Sequence, residues 1–417
     1  MSDMPPADQL HHHRRRMGGR DTREAHRAAT PLELLFDLTF VVSFGFAASH
    51  FAHALAEGHY STAFVGFGFA SFGICWAWVN FSWFASAYDT DDWLFRLMTM
   101  IQMVGVLILA IGIPRLFGSL EHGGDHLAIG TMVSGYVVMR LALVAQWLRA
   151  ARQDPARRRT CLTYAIAVAV AQIGWCTLVW LDLSAIPLAV AWIALFLIEL
   201  SGPMIAERQQ GGTPWHAHHI VERNTLFAII ALGEGVVGTV AALSAVVETQ
   251  GWTADTALVA MSGLGLTFGI WWIYLMLPSA PVLHAHRERS FVWGYSQMLL
   301  ITAIVAVGAG LHVAALYLEH KAHVSPYAVL LTTAIPTIVF IGLIYGLYWY
   351  LVRRFDTLHT WLLLLTAAVM AGAIVAAKSG LSMPLCLLIL SLAPVVTIIG
   401  YEWRGHRFQA DALAAGR

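Results

Sequence analysis

Glu234 stands in the middle of an apolar run that extends from Asn224 to Glu248, a carboxylate where its neighbours offer nothing polar. If the run is helical, Glu234 lies roughly 18 Å beyond Glu222, near the depth of a bilayer midplane. Ionisable groups at that depth are costly, so they face a bundle interior or a wet cavity and mark a proton, ion or substrate path. The competing reading is a glutamate held only by a structural partner. Gly233, Gly235 and Gly238 flank it, so the backbone there is either closely packed or locally unwound, with close packing the commoner case.

Other charges sit where the same argument applies. Thr30-Pro31-Leu32-Glu33 has the form of a helix start, with a Thr cap, Pro at the first helical position and a Glu that closes a capping box. On that reading Glu33 satisfies backbone donors. Asp37 follows one turn deeper, where no cap calls for a carboxylate, and is the stronger functional candidate. Arg140 lies roughly 15 Å inside its apolar run, too deep to reach water, and needs an anion. Asp37, Glu199 and Glu234 are the candidates, since buried charges persist mainly when paired. A purely structural ion pair accounts for Arg140 as well as a functional one does.

Trp215-His-Ala-His-His-Ile-Val-Glu-Arg223 leads into the Glu234 run. As a helix it places His216, His219, Glu222 and Arg223 on one side. That face can relay protons, and His216, His219 and Glu222 are weak candidates for Zn²⁺, to which His284 and His286 could add. No complete metal-ligand spacing is present, so proton chemistry is preferred, with no metal and no cofactor assigned. Asp89-Thr-Asp91-Asp92 is a second acidic group; Asp91 or Asp92 can cap the following helix or pair with Arg96 one turn on.

The elements that must carry these residues are set by composition. The chain has 417 residues, 58% hydrophobic and 12% charged, with mean hydropathy +0.65, which excludes an ordinary soluble domain. Twelve apolar spans are read near 32–55, 61–87, 93–117, 126–150, 158–182, 184–206, 221–247, 255–278, 291–318, 327–352, 358–378 and 381–402. With the N-terminus inside, 21 of the 25 Lys and Arg residues fall on inner segments and 3 on outer loops, so the count predicts both termini cytoplasmic. The expected fold is an all-α polytopic membrane protein of the bacterial inner (cell) membrane. Residues 1–29 are polar and Arg-rich, expected to be a disordered cytoplasmic tail and not a signal peptide, with His11, His12 and His13 a minor metal tract or tag remnant. Residues 404–417 form a second cytoplasmic tail. The four cysteines all fall inside spans, which leaves no disulfide framework. Zero formal charge without a basic, aromatic stripe argues against nucleic acid, and no phosphate-binding glycine loop supports an ATP-driven pump.

The chain echoes itself at an offset near 190–200 residues: Glu33 with Glu222, Trp76-Ala-Trp78 with Trp271-Trp272, Gln102-Met103 with Gln297-Met298, and Trp147-Leu-Arg149 with Tyr350-Leu-Val-Arg353. Six spans per half is an even number, so residues 30–208 and 209–403 are expected to be parallel repeats.

Pro31-Leu-Glu-Leu-Leu-Phe-Asp-Leu-Thr-Phe-Val-Val, Tyr88-Asp-Thr-Asp-Asp-Trp-Leu-Phe-Arg96 and His219-Ile-Val-Glu-Arg-Asn-Thr-Leu-Phe-Ala-Ile-Ile-Ala-Leu-Gly-Glu234 together resemble the bacterial low temperature requirement A family, over about residues 30–400. The resemblance points to Glu33, Asp37, Asp91, His219, Glu222, Arg223 and Glu234; Asn224 and Thr225 stand where the family often has an aromatic residue and Gly. It implies no biochemical activity. Residue chemistry favours a proton-coupled secondary transporter of a small solute, in which Glu234 and Asp37 titrate and Arg140 supplies a counter-charge. A proton or ion channel and a membrane-embedded enzyme acting on lipid are the alternatives. The expected partners are the bilayer and a small molecule or ion, and oligomerisation is left open.

Overall fold

The computed structural model describes residues 15–415 apart from 23, 25–26, 122–126, 182, 184, 210 and 355, so the His11–His13 tract lies outside the described residues. All the regular elements among the described residues are helices, and twelve helical segments are long and apolar enough to cross a membrane. In chain order the helices are α1 (Pro31–Ala56), α2 (Tyr60–Tyr88), α3 (Trp93–Glu121), α4 (Gly130–Gln153), α5 (Arg158–Trp180), α6 (Ala185–Glu207) and α7 (Ala217–Gln250). They continue as α8 (Ala254–Leu275), a short α9 (Ser279–Ala285), α10 (Ser290–Leu318), α11 (Pro326–Val352), α12 (Thr357–Lys378), α13 (Met383–Gly400) and α14 (His406–Ala415). Each of the twelve expected spans has its helix.

The ends form where the side chains can take over backbone donors. Ser325 accepts the Ala328 amide at 3.3 Å ahead of Pro326, Thr253 accepts Thr256 N at 3.2 Å, and Asp356 accepts His359 N at 2.8 Å. Between these caps the apolar composition leaves the backbone no alternative to its own i to i−4 bonds.

The packing defines two units. Unit 1 holds the described residues up to Ser43 together with Trp76–Arg223; unit 2 holds Phe44–Cys75 and the described residues from Asn224 onward. In unit 1, α3 packs on α4, α4 on α5 and α5 on α6. The α3–α4 crossing is tight: a Cβ on Gly135 would come 2.5 Å from the Gly105 carbonyl oxygen. In unit 2, α10 lies against α11, and α13 against both α8 and α12.

Composition alone favoured a solvated tail up to residue 29, but its described second half is docked within unit 1. Met17 is fully buried and its amide donates to Gln153 at 2.6 Å, while the Arg15 amide donates to Asp92 at 3.0 Å. Arg27 takes the last carbonyls of α2, Ser86 and Ala85, the latter at 2.8 Å, and sits 3.6 Å from Asp89. These partners lie more than 50 residues away, so nothing in the local composition announces them.

The acidic loop splits its labour. Asp92 caps α3 through the Phe95 amide at 2.9 Å and binds Arg149 at 2.9 Å, whereas Asp91 pairs with Arg96 through two bonds of 2.8 Å. Both readings of the loop hold, each on a different aspartate. Asp91 adopts a left-handed backbone, φ 47°, and its amide donates to Asp89 at 2.8 Å.

Candidate functional site

Three helices of unit 1 each contribute a pair of residues one turn apart to one buried cluster: Glu33 and Asp37 from α1, Trp78 and Ser82 from α2, and His219 and Arg223 from α7. The i, i+4 spacing puts both members of each pair on the same helix face. Arg223 is the centre. One terminal nitrogen lies 3.0 Å from Glu33 Oε1; the other donates to Asp37 Oδ1 at 2.6 Å and to Ser82 Oγ at 3.3 Å. The Trp78 indole N–H donates to the same Asp37 oxygen at 2.7 Å, and His219 Nε2 lies 3.2 Å from Glu33. Glu33, His219 and Arg223 are 0% exposed and Asp37 1%, so every charge here is out of reach of solvent.

Glu33 also performs its capping task. It accepts the Thr30 amide at 2.8 Å while its own amide donates to Thr30 Oγ1 at 3.3 Å, a complete capping box. Its two roles use different oxygens, Oε2 for the cap and Oε1 for Arg223. The cluster therefore holds two carboxylates against one guanidinium, and a protonated His219 would make it neutral. Asp37 Oδ2, His219 Nδ1 and Arg223 Nε have no hydrogen-bond partner among the described protein atoms, so the network retains capacity for a further polar group.

Arg140 forms a second cluster in unit 1. Of the three carboxylates the sequence offers it, Glu199 takes the partnership, at 3.7 Å directly and through the Tyr136 hydroxyl, which donates to Glu199 at 2.8 Å. Trp76 at 2.8 Å, Gln172 at 3.3 Å and Trp175 at 3.3 Å complete the donors around Glu199. Arg140 is 1% exposed and Glu199 4%, with Arg140 Nε and one terminal nitrogen unpartnered.

Trp76 and Trp78 connect this chemistry to one helix. Two residues apart on a helix point in roughly opposite directions. Each tryptophan accordingly serves a different carboxylate, Trp76 bonding Glu199 and Trp78 bonding Asp37. From sequence alone Trp76-Ala-Trp78 stands out only as a repeat marker, and Trp76, Trp78, Ser82, Tyr136, Gln172 and Trp175 are not among the expected site residues. A tryptophan N–H in a buried span seeks an acceptor, and that was the available signal.

Glu234 lies in unit 2 under different conditions. Helix α7 runs unbroken through it, half-buried, with neither a hydrogen bond nor an ion pair among the described residues. A Cβ on Gly308 of α10 would come 2.8 Å from Glu234 Cβ, and one on Gly45 of α1 would lie 3.8 Å from its carboxylate. The glycine-flanked backbone is closely packed, not unwound.

The remaining candidates separate from these clusters. His216 precedes α7, accepts the His219 amide on Nδ1 at 3.3 Å and meets the Glu24 carbonyl through Nε2 at 2.8 Å, which occupies both ring nitrogens. Glu222 is half-buried and accepts the Ala29 amide at 3.4 Å; it does not join Arg223. Among the described residues no three His, Cys, Asp or Glu side chains are grouped to hold a metal ion. Asp91 belongs to the Arg96 pair of the α2–α3 loop. Burial pushes the neighbouring Asp89 carboxyl up to about 6, whereas burial of Asp92 is outweighed by its Arg149 and Phe95 bonds, which hold its carboxyl below the ordinary aspartate range.

The family model described as bacterial low temperature requirement A protein matches residues 28–394, a stretch containing the Arg223 and Arg140 clusters and Glu234. An uncharacterized protein of Rhizobium meliloti (strain 1021) is 26% identical over 263 residues, 61% of this chain and 60% of that protein's length. No solved structure matches.

Proposed function

The chain belongs to the bacterial low temperature requirement A family, and from that premise we propose that this integral membrane protein is a proton-coupled secondary transporter of a small solute. The observation that carries the reading is Glu234: a mid-span carboxylate without a hydrogen bond or ion pair among the described residues, in a protein that pairs Glu33, Asp37 and Glu199 with arginine. An intramembrane carboxylate with no fixed partner can exchange its charge with a passing proton or solute without breaking a protein bond. Arg223 and its carboxylates supply a fixed charged cluster, and Arg140 with Glu199 a second; the unpartnered nitrogens of both arginines are the donors available to an anionic group. In this reading Glu33 is held by Arg223 and His219, and Asp37 by Arg223 and Trp78, so the coupling role rests on Glu234.

Both termini are placed in the cytoplasm of the bacterial cell on the distribution of Lys and Arg. Residues 30–208 and 209–403 are read as parallel repeats on the sequence echoes between them.

Proteoliposomes with an imposed proton gradient test the assignment. Saturable, gradient-driven uptake is expected from the parent protein, and Glu234→Gln should fold but lose the coupling. A flux that rises linearly with driving force would mean a channel, and undiminished coupling in Glu234→Gln would remove Glu234 from the mechanism.

A further inference from the structure

The surroundings of Glu234 differ along the two directions of its helix. Its backbone meets α10 at Gly308, where a Cβ would come 2.8 Å from Glu234 Cβ, and its carboxylate faces α1 at Gly45. One turn farther along α7 and α10 the approach is as close: a Cβ on Gly238 would come 2.6 Å from the Gly308 carbonyl oxygen and 3.2 Å from the His312 amide nitrogen. His312 therefore stands one turn beyond Glu234, about 6 Å along the axis. Its ring meets His53 of α1, centroids 5.8 Å apart and planes at 65°. Glu234 and His312 thus face α1 from the same seam, and His50 lies between the levels of Gly45 and His53. His53 is exposed, while Glu234, His50 and His312 are half-buried, so each of these side chains keeps accessible surface.

The route continues to the end of α1. His53 and Glu319 are the titratable groups that act on His312, and Glu319 is paired with Lys321. Just past α1 the exposed Glu57 meets His323 Nδ1 at 2.7 Å, and the His323 amide donates to the Ala56 carbonyl at 2.8 Å. In the opposite direction the same faces are apolar. Phe227 of α7, two turns back from Glu234, lies against Phe44 of α1 with ring centroids 5.2 Å apart, each 1% exposed. Ile304 and Ile301 continue the Gly308 face of α10 and are buried. All of these residues belong to unit 2.

With the termini in the cytoplasm, α1, α7 and α10 all run outward, which puts the histidines on the outer side of Glu234 and the aromatic pair on the inner side. We propose that Glu234 exchanges its proton with the outer side of the membrane through His312 and His53, and that Phe44 and Phe227 close the way to the cytoplasm. The inference deepens the transporter reading and rests on its assignment of Glu234 and of the termini. His53 takes a proton from outer water, His312 receives it, and the Glu234 carboxylate accepts it. Each imidazole gains the proton on one ring nitrogen and releases one from the other, and no other bond changes. A single water molecule suffices to carry it across a gap too long for a direct hydrogen bond.

Sidedness is tested on the full-length chain in bacterial membrane vesicles, right-side-out and inside-out. Dicyclohexylcarbodiimide crosses membranes and modifies protonated carboxyl groups, so its rate of addition to Glu234, read by peptide mass spectrometry, reports the pH that Glu234 senses. With the two faces held at different pH, modification should follow the outer face; modification that follows the cytoplasmic face would overturn the proposal. The relay is tested by a pH jump in detergent, the signal being the proton uptake that the parent shows and Glu234→Gln lacks. His312→Gln and His53→Ala should each slow that uptake about 100-fold, the contribution of a positioned proton-transfer group, and imidazole added to His53→Ala should restore it. Uptake at the parent rate in both variants, or no uptake that depends on Glu234, would also overturn it. Neither readout needs a transported solute. Vesicles without gradient-driven uptake would remove the transporter reading and leave the outer route standing, whereas gradient-driven uptake with modification set by cytoplasmic pH would do the reverse.

Discussion

Glu33 and Asp37 of unit 1 and Glu234 of unit 2 are all carboxylates of spanning helices, yet the first two have a guanidinium nitrogen at 3.0 and 2.6 Å and the third has none. At an effective dielectric near 20, opposite charges 4 Å apart attract by about 4 kcal/mol, enough to fix a charge in place. Arg223 therefore turns two carboxylates into structure. Glu234 gains nothing of that kind, and what it retains is the freedom to change charge. The comparison separates charges that hold helices together from a charge available for work.

Removing Arg223 should break the comparison most severely. Arg223→Ala leaves Glu33 and Asp37 buried without a cation, and a loss of about 3–5 kcal/mol is expected, read as collapse of yield or a large fall in Tm in detergent. A variant as stable as the parent would show that the cluster is not structural.

Replacing Arg140 comes next. Arg140→Met should cost about 1.5–3 kcal/mol, because Glu199 keeps Tyr136, Trp76, Gln172 and Trp175 as donors. Exchanging Arg140 and Glu199 together for methionine removes both charges but strands the four donors to Glu199, so it should cost more than the single change; a double variant as stable as Arg140→Met would show that those donors do not need the carboxylate.

A smaller effect is expected at the acidic loop, with opposite signs on adjacent residues. The folded-state carboxyl of Asp89 titrates near 6, above an unfolded value of about 3.9, so the folded chain binds the extra proton and stability falls as pH rises from about 4 to 6. Asp92 is held below that unfolded value, so its contribution is present above about pH 4 and is lost as pH falls. Asp89→Asn should flatten the loss above pH 4, and Asp92→Asn the loss below it. Identical pH profiles in the two variants would mean that the loop charges do not differ.

The smallest change should come from Glu234→Gln, within about 0.5 kcal/mol of the parent in stability, because no bond among the described residues is removed. A large destabilisation would move Glu234 into the same class as Glu33.

The spans were legible because the bilayer imposes length and apolarity on every one of them, and the α2–α3 aspartates were legible because a cap and an i, i+5 neighbour are local. The pairings were not. Arg223 meets Asp37 across 186 positions, and periodicity can state only that both lie on inward faces. Arg140 had three acceptable carboxylates, and the choice of Glu199 depended on α4, α5 and α6 lying in succession. Glu33 looked like a cap or a charge partner because the text of the chain cannot reveal that a carboxylate has two oxygens facing different ways. The docked stretch around Met17 was hidden for a related reason: its arginines advertise water, whereas the Asp92 carboxylate that accepts the Arg15 amide and the Gln153 carbonyl that accepts the Arg16 side chain lie far along the chain.

The separation between α1 and Arg223 also sets an order of events during synthesis. A ribosome adding about 5–20 residues per second needs ~10–40 s to deliver Arg223 after Asp37 has been made, a gap of 186 residues. Throughout that interval Asp37 has the Trp78 indole as a donor but no cation, and α1 keeps an uncompensated charge until the seventh helix arrives. Chains that terminate between α6 and α7 should therefore be targets for membrane proteolysis, and extending them through residue 223 should restore their lifetime in a pulse-chase measurement; equal lifetimes on both sides of that boundary would show that α1 matures without its arginine.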